Sequence, residues 1–244
     1  MSGIEKLSAL LPAGLPAELS AALAPHARLV QLRAGQTLIG HQDDTDDVFI
    51  VLDGTLRVEL VSRNGREIIL SDAGVGAIVG EFAALDGAPR SASVTTVGKA
   101  TVARVPARQF REAALATPES AGWLALRLVR MVRTMTERVF ELNALAVRSR
   151  LHCELLRMAL DAGIDDNAAT LAPSPTHAEL ANRIGTHREA VTRELGYLTE
   201  QGITRSAGRT LSILDVGRLA EVVRAAAGDV ELIQRAREAR LGRA

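Results

Sequence analysis

Aromatic side chains are scarce in this chain: four Phe, one Trp and one Tyr make up 2% of its 244 residues. Any core must therefore be built from Ala, Leu, Val and Ile, and a hydrophobic content of 47% is ample for a globular protein. Cysteine occurs once, as Cys153. That excludes an intramolecular disulfide and any four-cysteine iron–sulfur or zinc site; inside a helical pattern, it reads as a small buried apolar residue. Lysine is confined to Lys6 and Lys99, so positive charge is almost wholly arginine. The guanidinium fork suits phosphate and guanine, although the bias of a GC-rich coding sequence accounts for the larger share of this excess. The 29 basic and 29 acidic residues cancel, which argues against a charge-driven, histone-like binder but not against a sequence reader with a few placed arginines. No apolar run approaches the roughly 20 residues needed to cross a bilayer, and no charged-then-apolar leader opens the chain. A cytoplasmic protein without a membrane partner is expected.

The length allows two modest domains or one large one. Ile4, Leu7, Leu10, Leu11, Leu15, Leu19 and Leu23 are helically spaced but broken by Pro12, Pro16 and Pro25, predicting short leading helices. From Arg28 to Val105 short apolar runs alternate with Gly, Asp and Asn. Asn64-Gly65, between Thr55–Leu60 and Glu67–Leu70, is the strongest hairpin signal. This spacing predicts a compact antiparallel barrel or sandwich. Gly74, Gly76 and Gly80 have the wrong spacing for a dinucleotide fingerprint and read as turn glycines.

From about Gln109 the period becomes helical and stays so to about Leu145. Leu124, Leu128, Met131, Met135, Val139, Leu142 and Ala146 form a heptad stripe flanked by Arg127, Arg130, Arg133 and Arg138, predicting a long helix that pairs with a second copy; the plainer alternative is that the stripe packs on its own barrel. Residues 143–149 read as a hinge, and 161–175 as a loop. Thr176 with Glu179 makes a capping box; Gly185 supplies a turn, and a second helix runs from about Thr186 to Gln201. Residues 203–214 read as a small β-hairpin, with further helices over 215–227 and 230–241. The expected division is 1–108, 109–147, 148–214 and a C-terminal extension, 215–244.

Two stretches carry chemistry. Gly80-Glu81-Phe82-Ala83-Ala84-Leu85-Asp86-Gly87-Ala88-Pro89-Arg90-Ser91-Ala92 places a carboxylate where it can accept from a ribose hydroxyl. Its arginine fork and serine hydroxyl suit a phosphate. Val58, Leu60 and Leu70 lie on strands able to line an apolar slot. The plainer alternative is a surface Glu–Arg pair beside a turn. In the second stretch Arg188, Glu189 and Arg193 fall on one arc of a helix. There an arginine can take guanine O6 and N7, and a glutamate can accept from cytosine N4. The alternative is a solvated helix with an internal Glu–Arg pair. No nucleophile–base set, metal cluster or phosphate-cleaving loop is present, so an enzyme is not expected.

The first stretch resembles the phosphate-binding cassette of cyclic-nucleotide-binding domains, and with the long helix and helix-turn-helix after it the chain resembles the CRP/FNR family of transcription regulators from about residue 28 to 214. The resemblance implies an α+β chain: an antiparallel β-roll, a dimerising helix and a C-terminal winged helix-turn-helix. It implies that Gly80 and Glu81 hold the ribose, that Arg90, Ser91 and Ala92 hold the phosphate, and that Val58, Leu60 and Leu70 surround cyclic AMP or cyclic GMP. In the cyclic-AMP-responsive branch a Thr–Ser pair on the dimer helix meets the base. The matching positions here are Met135 and Thr136, with Thr134 beside them. The resemblance further implies an inverted repeat of TGTGA-like half-sites read by Arg188, Glu189 and Arg193. Phosphate contacts would come from Arg148, His177, His187 and Arg209, and RNA polymerase would be a partner. Other branches answer to haem-bound gas, to cyclic di-GMP or to no effector. His26 and His41, the histidines available to a haem in that domain, read as surface residues.

Overall fold

The structure, a computed structural model, describes residues 15–241. Ile4, Leu7, Leu10 and Leu11 lie outside the described residues. The chain divides into two compact units, residues 1–131 and 132–244.

In the first unit, helix α1 (Ala17–Leu23) and a short 3-10 turn lead into strands β1 (Arg28–Leu32), β2 (Thr37–Ile39), β3 (Val48–Asp53), β4 (Leu56–Val61), β5 (Glu67–Ala73) and β6 (Ile78–Val79). Helix α2 (Glu81–Asp86), strands β7 (Ser93–Thr96) and β8 (Ala100–Val105) and helix α3 (Ala107–Leu115) follow. The strands form two four-stranded antiparallel sheets, ordered β1-β8-β3-β6 and β2-β7-β4-β5. The unbroken apolar run in β3 follows from its position, covered on both faces. Val48 and Ile50 pack with Leu19, Leu23 and Phe110 of the flanking helices, whereas Phe49 and Val51 join Leu56, Val94 and Val102 in a second apolar cluster. The Asn64-Gly65 hairpin forms as expected: Gly65 N–H donates to Ser62 O at 2.9 Å, and Ser62 N–H to Arg66 O at 2.9 Å. Val58 pairs with Ser71 but Glu59 with Ile69, so Leu70 is a bulge without a cross-strand partner.

Helix α4 (Pro118–Ala144) runs through the boundary between the units. The expected single helical stretch from Gln109 is interrupted at residues 116–117. Pro118 disfavours a helical Thr117, and the Thr117 hydroxyl instead accepts from Ser120 N–H at 3.2 Å. The heptad stripe also divides. Leu124 is buried and Leu128 half-buried against the first unit's own core. Val139 and Leu142 of the stripe stay exposed, and the open apolar line runs on through Leu126, Val129 and Val132, which the stripe does not contain. Spacing alone does not say which side of a helix its own domain covers.

In the second unit, α5 (Val147–Ala162), α6 (His177–Ile184), α7 (Arg188–Glu200), α8 (Val216–Ala227) and α9 (Glu231–Leu241) enclose one apolar cluster with strands β9 (Ala169–Leu171), β10 (Thr204–Ala207) and β11 (Thr210–Ile213). Leu145 and Ala146 separate α4 from α5, within the expected hinge. The hairpin β10–β11 forms as expected, but the stretch expected to be only loop contains β9, which pairs with β11. Three residues are too few for an alternating pattern to stand out. Helix α9 is no loose tail: its Leu232, Ile233 and Ala236 are buried. Cys153 is buried, and that burial pushes its thiol up to about 12.

Candidate functional site

The β6–α2 turn depends on Gly80. Its φ is 87°, and a Cβ there would lie 2.7 Å from Arg90 Nη1 and 2.8 Å from Asp47 O, so only glycine fits against Arg90. Glu81 and Arg90 are 5% and 2% exposed, which removes the surface-pair alternative. Arg90 Nε donates to Thr45 Oγ1 at 3.0 Å, Nη1 to Gly80 O at 2.9 Å and Nη2 to Asp47 O at 2.7 Å. The β2–β3 loop also holds its backbone: Arg90 N–H donates to Asp43 O at 3.0 Å, and Gln42 N–H to Arg90 O at 2.9 Å. Burial draws the Arg90 pKa down, opposed by Asp47, Asp46, Asp43 and Glu81. Of the five guanidinium N–H donors, three thus face protein acceptors and two remain. Glu81 Oε1 lies 3.4 Å from Arg127 Nη2, which also donates to Ile78 O at 2.6 Å.

Gly80, Glu81 and Arg90 are therefore brought together, with Ala92 buried and Ser91 exposed beside them. Val58, Leu60 and Leu70 are each half-buried, on β4 and β5. Thr45, Asp47 and Arg127 complete the arrangement, and sequence reasoning did not single them out for it. The signal for two of them was the acidic run Asp43-Asp44-Thr45-Asp46-Asp47 before a buried strand. The Asp47 carboxylate accepts from Arg104 Nε at 2.7 Å. It borders a cavity of about 560 Å³ shared with Pro25, His26, Arg28 and Gln109. His26 and His41 are exposed. Thr134, Met135 and Thr136 lie on α4 in the second unit, where Thr136 Oγ1 donates to Val132 O at 3.0 Å. Among the described residues, no group of three or more His, Cys, Asp or Glu could hold a metal ion, and no helix is long and apolar enough to cross a membrane.

In the second unit the capping box is complete. Glu179 N–H donates to Thr176 Oγ1 at 3.1 Å, and Thr176 N–H to Glu179 Oε2 at 2.7 Å. Gly185, at φ 65°, ends α6 in the left-handed region and turns the chain into α7. Val191, Leu195 and Leu198 pin one side of α7 to the core, which leaves Arg188, Glu189 and Arg193 exposed. At 3.6 residues per turn these three span an arc of roughly 140°. Among the described residues none of them has an ion-pair or hydrogen-bond partner for its side chain, which removes the internal-pair alternative. Thr192 Oγ1 lies 3.0 Å from Arg188 O and 2.7 Å from His177 Nδ1, so this hydroxyl links the first turn of α7 to the start of α6. His187 stands exposed at the N-cap position of α7 without a side-chain capping bond, Arg209 is exposed in the β10–β11 turn, and Arg148 is exposed in the first turn of α5. Glu194, on α7, accepts from buried His152 of α5 at 2.7 Å.

Two family models match this chain: the cyclic nucleotide-binding domain over residues 29–116 and the Crp-like helix-turn-helix domain over 149–222. The chain is 27% identical over 189 residues to the cAMP-activated global transcriptional regulator CRP of Haemophilus influenzae, covering 77% of this chain and 84% of that protein. Among solved structures, FixK2 from Bradyrhizobium japonicum superposes with a TM-score of 0.71 at 20% identity, covering 82% of this chain and 99% of that one. The c-di-GMP responsive global regulator CLP of Xanthomonas campestris gives 0.69 at 20% identity, over 82% and 99%. At such identities the two structures speak for the fold alone, and the names show that proteins sharing it answer to different effectors. A cyclic-nucleotide-binding β-domain, a long helix and a Crp-like helix-turn-helix, in that order along one chain, place this protein in the CRP/FNR family of DNA-binding transcription regulators.

Proposed function

We propose that this chain is a homodimeric regulator, acting in the cytoplasm with RNA polymerase, that binds cyclic AMP or cyclic GMP and then reads an inverted repeat of TGTGA-like half-sites. One observation carries the DNA-reading part: Arg188, Glu189 and Arg193 stand free on the exposed arc of a helix whose other side is buried. Each arginine can take both acceptors of a guanine, and Glu189 suits a cytosine amine. Arg148, His177, His187 and Arg209 supply phosphate contacts. The open line from Leu126 to Leu142 gives a second copy its docking face.

For the effector, Glu81 offers a carboxylate to the ribose, while the two uncommitted N–H groups of Arg90 and the Ser91 hydroxyl offer donors to the phosphate. Val58, Leu60 and Leu70 line the slot, and Met135, Thr136 and Thr134 are the residues for the base. Because Arg90 is buried behind Thr45 and Asp47, nucleotide entry must displace the β2–β3 loop. Ligand shifts the protein only as far as it prefers the DNA-competent arrangement. The same burial favours a second reading, in which the effector is haem-bound gas or cyclic di-GMP, or is absent. Titration calorimetry with cyclic AMP and cyclic GMP tests the choice. Saturable heat with either supports the first reading; no heat with both, together with tight operator binding by nucleotide-free protein, supports the second.

A further inference from the structure

In the second unit, three helices meet at a buried cluster of five charged side chains. Glu154 of α5, its side chain 3% exposed, faces three guanidinium groups: Arg138 Nη2 at 3.1 Å, Arg157 Nη1 at 2.7 Å and Arg183 Nη1 at 3.5 Å. Arg157 Nη2 continues to Glu141 Oε1 at 2.6 Å. Against the desolvation of full burial, Arg138, Arg157 and Arg183 hold the Glu154 carboxyl below its usual range. Arg138 and Glu141 come from the last turns of α4, Glu154 and Arg157 from α5, and Arg183 from the last turn of α6.

The charges do not balance: three arginines face two glutamates. Removing Arg138 leaves two of each, with Glu154 still paired to Arg157 and Arg183, and Glu141 to Arg157. A buried cation beyond balance costs desolvation, so electroneutrality does not call for Arg138. What Arg138 adds is reach. It runs from α4 to α6: its Nη1 donates at 3.5 Å to the carbonyl of Arg183, two residues before the Gly185 turn. A planar fork held by Glu154 and by that carbonyl resists rotation of α6, and of α7 beyond the turn, about the end of α4.

We infer that Arg138 is a positioning residue for DNA reading: it fixes the angle of the helix-turn-helix against the last turns of α4, and so the half-site spacing that the dimer accepts. This rests on the dimeric DNA-reading function proposed above. If α4 joins two copies, its angle to α7 becomes the distance between the two reading helices, which must match the turn of the duplex.

The test compares wild type, Arg138→Met and Arg138→Lys by fluorescence anisotropy, each without nucleotide and with saturating cyclic AMP or cyclic GMP. The probes are inverted repeats whose half-site separation runs from two base pairs short to two base pairs long, plus a single half-site. Wild type should favour one spacing by about tenfold or more over its neighbours. Arg138→Met should bind all spacings within about threefold of one another, with half-site affinity kept and a melting temperature near wild type. Arg138→Lys, which keeps the charge but not the fork, should lie between them. An unchanged spacing profile in Arg138→Met overturns the inference, as does an equal loss on every probe including the half-site. If Arg138→Met does not fold, Arg138→Lys decides by the same two outcomes. Wild type that binds no probe, half-site included, with or without either nucleotide, would mean that the DNA-reading proposal itself has failed.

Discussion

Single side chains decide both halves of the proposed function, and they differ in what replacing them should do. Arg188 and Arg193 are exposed and free of protein partners among the described residues. Either one changed to Ala should weaken operator binding by about 1–3 kcal/mol and leave the melting temperature unchanged. Anisotropy and thermal unfolding on the same samples check both halves of that statement. Gly80→Ala should do the reverse. A methyl group 2.7 Å from Arg90 Nη1, at a φ of 87°, should destabilise the first unit by about 1–3 kcal/mol and weaken nucleotide binding, read by denaturant unfolding and calorimetry. Glu81, Arg90, Arg188, Glu189 and Arg193 were legible in the sequence because each sits in a local pattern with defined spacing. Thr45, Asp47 and Arg127 were not: they reach Arg90 and Glu81 from 45, 43 and 46 residues away, and no local pattern encodes such a meeting.

At the level of elements, strong local signals came through and weak ones did not. The Asn64-Gly65 hairpin, the Thr176 capping box and the Gly185 turn all formed where the residues point to them. The break before Pro118 and the short β9 were not legible, and the spacing left open which side of α4 faces its own core. In each of these a single proline, a three-residue strand or a tertiary contact overrides the period. One element-level tether responds to acid. Burial lowers the pKa of His152, although its hydrogen bond to Glu194 pulls the other way, and Arg148 lowers it further. The folded chain therefore gives up this proton more readily than the unfolded chain does. The contribution of His152 is present above its ordinary pKa of 6.5 and is lost as pH falls below that value. Thermal unfolding from pH 7.5 down to 5.5 should show a steeper loss of stability in wild type than in His152→Gln. Equal slopes would mean that the α5–α7 tether does not titrate in this way.

For the molecule as a whole, a chain with no net charge gains little from general attraction to DNA. On the proposed reading, binding comes from two placed reading helices, which makes assembly part of recognition. Val132 and Val139 are 65% and 60% exposed on α4; Val132→Glu with Val139→Glu should yield a monomer in sedimentation, with operator binding lost and each unit still folded. A dimer that survives both changes would place the partner face elsewhere. Control by a small molecule is tested most directly by the operator dissociation constant of wild type, with and without saturating cyclic AMP or cyclic GMP, alongside Arg90→Gln. One of the two nucleotides should tighten wild-type binding by about 5- to 150-fold, and Arg90→Gln should lose that gain while keeping the nucleotide-free affinity. A wild-type dissociation constant that neither nucleotide changes would contradict a cyclic-nucleotide switch and leave a DNA reader governed by another effector or by none.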